Sequence, residues 1–401
     1  MGELTDTSEL EFFDLHMRDE GEEWIVGRVD SGRFIALPSI GARVISLLRE
    51  GRRVGSVREE LREELGQDIN VAGLATSLSR VGFVRAVDGV AIPADPPMRS
   101  AFPAVAPEHV RFMAKWRFWA PLGIIALAVV AMSFAWGDRV TPAAMVWSQY
   151  SGICILTAFL MAWASIFLHE LTHLFSARAL GVPGRISLGT RLQFLAAETD
   201  VSGVWVAPRR MRILVYSVGM ILNAALLAAS CGIFAFTAPG LLKDLAGASA
   251  IVQANLIVGN CLFFMRTDVY FIIQDLARCR DLFGDATALF GYQLRRVFRR
   301  PSVRDVESPL LRLPVRERRW VRLYALLMVP ATAVCVGFFA VVTLPATILL
   351  LGNAWRNLLS SEPLRVADGV IVLTVTVGMQ IVWFWVRLRR RRRAVLDAGG
   401  R

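Results

Sequence analysis

The sequence predicts a polytopic α-helical membrane protein of about six spans, preceded by a small N-terminal α+β domain with a winged-helix-like pattern. Three observations predict it. Of the 401 residues 55% are apolar, and the mean hydropathy is positive. The apolar residues gather into segments at 120–136, 153–174, 213–236, 251–265, 321–344 and 370–386, of a length that suits a bilayer. The first ninety or so residues show instead the short alternations and turn signals of a folded polar domain.

Residues 1–19 are acidic and polar and are expected to be frayed. They do not read as a signal peptide, which would start basic and turn apolar. The folded domain is expected over 20–92. Segments 24–29 and 33–37 read as strands around the turn signal Asp30-Ser31-Gly32. Helical patterns follow at 40–48, closed by Gly51; at 57–65, with Ser56 as cap; and at 71–81, between Asn70 and Gly82. Segment 83–87 reads as a returning strand, and 93–110, rich in proline and alanine, as a linker.

The net charge of +11 does not point to nucleic acid, because of where the charge sits. Residues 20–95 hold ten arginines against twelve acids, so the N-terminal domain has no basic excess. The basic residues flank the apolar segments instead. Arg111, Lys115 and Arg117 precede the first, and Arg178, Arg185, Arg191, Arg209, Arg210 and Arg212 follow the second. Eleven arginines lie in 274–319, and Arg387 and Arg389 to Arg393 follow the last segment. The alternate loops carry few. By the positive-inside rule both termini are expected in the cytoplasm of a bacterial-type inner or plasma membrane. Trp116, Trp119, Trp136, Trp147 and Tyr150 fall at segment ends, as interfacial aromatics do. Segment 348–359 is too short to span and reads as an interfacial or re-entrant piece. The five cysteines form no CxxC pair and read as small buried hydrophobes. The expected organisation is then a membrane core at 111–292, a basic cytoplasmic loop at 293–320, C-terminal spans at 321–388 and a basic tail at 389–401.

Within the second apolar segment stands His169-Glu170-Leu171-Thr172-His173. Histidines four apart on a helix share a face and can meet on one metal ion, and the adjacent glutamate can serve as base toward water. Ionisable residues inside an apolar span are costly and mark function by default. A catalytic zinc takes a third protein ligand. His16 and His109 fall in the terminus and the linker, so a carboxylate is expected. Asp268, at the end of the fourth segment, leads; Asp275 is the alternative, and Asp200 and Glu198 are weaker ones.

The membrane part resembles the site-2-protease family of intramembrane zinc metalloproteases, over about residues 116–292. HExxH is that family's first block. In its second, an asparagine is followed eight residues on by the ligand aspartate, as Asn260 and Asp268 are here. The family's proline and glycine positions are Phe263 and Val269; a glycine there would suit φ > 0. A third block, glycine with asparagine four on, matches Gly219 and Asn223. The resemblance implies zinc on His169, His173 and Asp268, with Glu170 as general base. It also implies that Asn223 and Asn260 contact substrate or support the site, where a plainer reading makes them hydrogen bonds between helices. Residues 22–91, through "GRFIALPSIGARVISLLREG" and "LATSLSRVGFV", resemble PqqD-like domains, which bind leader peptides.

These readings lead to the expectation of a membrane-embedded zinc metalloprotease that acts on a peptide or membrane-protein substrate near the cytoplasmic face, linked to peptide maturation or export. The polar segment 185–206 after the motif is expected to form strands and offer an edge to an unwound substrate. The expected partners are that substrate, a leader peptide held by the N-terminal domain, and the lipid bilayer. Two other readings are a non-catalytic peptide receptor or transport accessory with a vestigial metal site, and a membrane-tethered transcriptional regulator.

Overall fold

The computed structural model describes residues 4–21, 23–93, 96–191, 194–262, 265–297 and 308–399. The chain divides into two compact units. One comprises Met1–Ala114, Leu174–Ile186 and Thr199–Arg212; the other comprises Lys115–His173, Ser187–Glu198 and Ile213–Arg401.

In the first unit the alternating segments become strands β1 (Leu10–Phe12), β2 (His16–Asp19), β3 (Trp24–Arg28) and β4 (Arg33–Leu37). Helices α1 (Ser39–Arg49), α2 (Val54–Leu65) and α3 (Val71–Val81) follow, then β5 (Val84–Val87) and β6 (Val90–Ala91). They form two antiparallel sheets, ordered β1-β5-β6 and β2-β3-β4. The β3–β4 hairpin pairs Arg28 with Arg33 and turns through Gly32 at φ 68°. Asn70 caps α3, its side chain accepting from Gly73 N at 2.7 Å. Gly51, Gly66 and Gly82 all take the positive φ that closes a helix. The core holds Val26, Val44, Ile45, Leu48, Leu61 and Leu78. Arg28 is buried with them, over the ring of Phe13, and its guanidinium holds the Asp30 carboxyl below the usual carboxylate range.

Three expectations need correction here. The residues expected to be frayed contain β1 and β2. Strand β1 pairs with β5 and β2 with β3, because Leu10 and Leu15 enter the core and Phe12 and Met17 pack against it. Ser56 lies inside α2 rather than capping it, since the helix starts at Val54. The segment read as a linker is an ordered strap in its described part. Met98 N donates to Asp30 O and Ala101 N to Gly184 O, and a 3-10 stretch runs over Pro107–Ala114.

Arg178 organises that strap. Only 7% exposed, it donates to the carbonyls of Ala101, Phe102 and Val105 and to Ser100 Oγ. Arg178→Met would remove the donor that these groups share, and the expected loss is about 3 kcal/mol. A thermal melt of the full chain in detergent would read it, and an unchanged midpoint would contradict the assignment. The same unit holds the 3-10 turn Ser202–Val206, which lies against β2, β3 and β4. Buried Arg212 pairs with Glu20 at 2.8 Å.

The second unit is helical apart from the Ser187–Glu198 part of one hairpin. Its elements are α4 (Trp116–Trp136), most of α5 (Ser151–Arg178) and of α6 (Arg209–Phe236), α7 (Leu241–Asn260), α8 (Asp268–Ala277) and α9 (Leu282–Val297). Helices α10 (Val315–Phe338), α11 (Leu344–Leu358) and α12 (Pro363–Gly399) complete it. Strands β7 (Arg185–Arg191) and β8 (Phe194–Asp200) pair after α5, where strands are expected. Six helical runs are long and apolar enough to cross a membrane: α4, α5, α6, α7, the run Val315–Leu358, and α12 as far as Arg392. They expose large apolar side chains such as Ile124, Leu127, Leu326 and Val334, the reverse of a water-facing surface.

The helices depart from expectation in three places. Helix α7 ends at Asn260, not at 265. Segment 348–359 belongs to α11, which continues α10 through a π-helical turn at Phe339–Thr343. The stretch 274–319 is not a plain loop, since α8 and α9 form there around Tyr270, Leu282, Ala286 and Leu289, with Val321 and Tyr324 of α10. The part of the expected basic loop at 298–307 lies outside the described residues. The arginine run of the tail continues α12 through Gly399.

Candidate metal centre

Helix α5 carries the HExxH residues with both histidines 6% exposed. The four-residue spacing stacks their rings on one face, with centroids 4.7 Å apart. His173 Nδ1 lies 2.6 Å from the Val215 carbonyl on α6. A carbonyl can only accept, so Nδ1 carries the proton and the Nε2 lone pair is left facing the site. His169 Nε2 is 3.0 Å from His173 Nε2.

Asp268 is the first residue of α8. The connection before it is fixed by buried Thr267, whose hydroxyl donates to the Asn260 carbonyl at 2.6 Å. Asp268 Oδ2 stands 2.9 Å from His169 Nε2 and 3.3 Å from His173 Nε2.

The three donor atoms are therefore separated by 2.9, 3.0 and 3.3 Å. A tetrahedral zinc with ligand bonds of about 2.0–2.1 Å would separate its ligand atoms by about 3.3–3.4 Å. His, His and Asp are also a donor set suited to zinc. Three electron-pair donors facing one point repel one another unless a cation or a proton lies among them. Among the described residues, no other group of three His, Cys, Asp or Glu side chains converges in this way.

Helix α6 closes the site with glycine. A methyl group added at Gly219 would fall 2.5 Å from His169 Nε2 and Cε1, and 2.6 Å from His173 Nε2. Only a residue without a side chain lets α6 pass this close to the imidazoles.

The other sequence candidates fall as follows. Glu170 is half-buried on α5, three residues before His173 and so on an adjoining strip of the helix. Asn223 is 1% exposed on α6, one turn past Gly219, and its Oδ1 has no hydrogen-bond partner. The Asn260 side chain donates back to Leu256 O in its own helix at 3.4 Å, so its backbone carbonyl is what supports the Asp268 connection. Asp275 is buried two turns further along α8 and does not join the histidines. Asp200 is engaged by Ser202 and Arg185, and Glu198 by Arg390. Val269 is the second residue of α8 and has no positive φ, so a valine there is unstrained. Phe263 lies outside the described residues.

Sequence reasoning missed two parts of the site. The Val215 carbonyl has no signature, because every residue offers one. Thr267 could have been suspected as the residue preceding the ligand at a helix start. The cysteines are free, as expected. Cys279, the one nearest α8, has its thiol pushed up to about 12 by burial, which makes it a poor nucleophile. No protein-family model, no curated protein and no solved structure matches the chain.

Proposed function

We propose that this protein is a membrane-embedded zinc metalloprotease, similar to the site-2-protease family, that cleaves a peptide or membrane-protein substrate near the cytoplasmic face. The observation that carries the proposal is the convergence of His169 and His173, buried within α5 beside Glu170, with Asp268 at the start of α8, their ligand atoms within 3.3 Å.

His169 Nε2, His173 Nε2 and one Asp268 oxygen would hold the ion. Bound there, zinc would supply Lewis acidity toward the scissile carbonyl and toward water. The chain's own groups do the rest. The Val215 carbonyl keeps His173 in the tautomer that offers Nε2. Glu170 takes a proton from the attacking water and returns it to the leaving amine nitrogen. The apolar surroundings on α5 and α6 limit bulk water at the site, which strengthens each polar interaction made in it.

A helical substrate hides its peptide bonds, so it must be extended before cleavage. The hairpin β7–β8 follows the HExxH helix directly and supports presentation by strand pairing. In the N-terminal domain, β4 is an end strand of its sheet, which supports a PqqD-like role in holding a leader peptide. The arginine distribution supports cytoplasmic termini.

Metal analysis tests the proposal. Purified wild-type protein is expected to carry zinc at one ion per chain, and His169→Ala and Asp268→Ala to lose it. Full occupancy in Asp268→Ala would remove that residue as ligand. A wild-type protein that takes up no zinc when supplied with it would overturn the reading.

A further inference from the structure

The register of α5 against α6 extends the candidate site one turn further. His173 lies against Val215 and His169 against Gly219. Four residues back along α5 thus correspond to four residues forward along α6. The next step brings Ser165 to the level of Asn223. Ser165 is 5% exposed, and its hydroxyl accepts from Gln253 Nε2 of α7 at 2.6 Å. Ser165, one turn before His169 on α5, is thus tied to α7 through Gln253, and Asn223 lies one turn past Gly219 on α6.

The hydrogen-bond inventory of these residues is uneven. Among the described residues, Asn223 Oδ1 and Gln253 Oε1 are buried acceptors without partners. Asn223 is 1% exposed and Gln253 2%. His169 Nδ1 is buried and unpartnered too. If His169 offers Nε2 to a metal, its Nδ1 must carry the proton and becomes a donor. Its Cε1 edge, next to Nδ1, already faces α6 at Gly219. His169 thus holds an orphaned donor one turn from Ser165, which anchors one orphaned acceptor, and beside Gly219, one turn before the other. Buried polar groups are rarely left so, and a histidine that ligates a metal nearly always passes its other N–H to an acceptor.

We propose that Gln253 is a positioning residue for His169. Anchored by Ser165, it accepts the Nδ1 proton of His169 through one bridging water, with Asn223 completing that water's partners. The role rests on the zinc reading of the site. His173 has a backbone carbonyl for this purpose; His169 is served by side chains. Orienting the ring and raising its basicity would be the result.

The test measures zinc affinity by chelator competition in the full-length protein, the visible spectrum of the cobalt-substituted form, and melting without metal. Gln253→Leu keeps the size and removes the acceptor. It is expected to bind zinc about 10–100-fold more weakly, with an altered cobalt spectrum and an unchanged metal-free melt. Gln253→Glu, which keeps an acceptor, is expected to bind as tightly as wild type or more so. Should Gln253→Leu fail to fold, Ser165→Ala, which frees the carboxamide, is expected to weaken zinc in the same direction. Wild-type affinity and spectrum in Gln253→Leu or Ser165→Ala would reduce the pair to glue between helices and overturn the role of Gln253 alone. A wild type without zinc would overturn the metal reading, and this role with it.

Discussion

Glu170→Gln is expected to retain zinc at the wild-type level and to lose cleavage by about 10²–10⁴-fold, the usual contribution of a positioned acid–base group. The isosteric amide keeps the half-buried side chain and its packing on α5 but cannot accept a proton. The ligand atoms on His169, His173 and Asp268 are untouched, so metal content separates this variant from ligand variants. Labelled casein is a suitable first probe, with a metal-free sample as the blank. Unchanged cleavage in Glu170→Gln would refute the mechanism. Loss of both zinc and cleavage would mean that Glu170 supports the site instead of acting in it.

Gly219→Ala makes the second large prediction, and here two effects oppose each other. Alanine is the better helix former by about 1 kcal/mol, so local propensity favours the change. The added methyl, however, would lie 2.5 Å from the His169 ring and 2.6 Å from His173 Nε2. Overpacking of this kind costs about 1–3 kcal/mol even in a core that can shift, and imidazoles held to a ligand geometry have less room. Zinc affinity is therefore expected to fall by about 100-fold or more, while the metal-free protein melts near or somewhat below the wild-type temperature, since the helix-propensity gain offsets part of the overpacking cost. Gly123→Ala is the control. Its methyl would meet Ile221 at an ordinary 3.8 Å, so it should gain a little stability and keep its zinc. Full zinc binding in Gly219→Ala would show that α6 is free to retreat from the histidines.

What could be read before any coordinates were at hand followed from local rules. The six long apolar helices come from hydropathy, which is additive along the chain. Asn70 and the closing glycines at 51 and 82 mark helix ends because capping is decided within a few residues. The two histidines share a face because their spacing matches one helical turn. The acidic terminus misled for the same reason. Its polarity is a local average, whereas β1 exists because Leu10 fits a core built by residues 44–84 and because β5 offers an edge to pair with.

Only the tertiary structure decided which carboxylate meets the histidines. Asp268 and Asp275 are the same residue type and share a helix face, and the choice depends on where α8 begins, 99 residues from His169. It also supplied the Val215 carbonyl, chemically the same as every other carbonyl in the chain until His173 is placed beside it. At Gly219 the sequence showed a spacing, while the coordinates show why a side chain is excluded. The HExxH motif by itself determined two imidazoles and a carboxylate on one helix. Which third side chain meets the histidines was decided by contacts between helices, which depend on the packing of the whole bundle and have no period that a sequence could display.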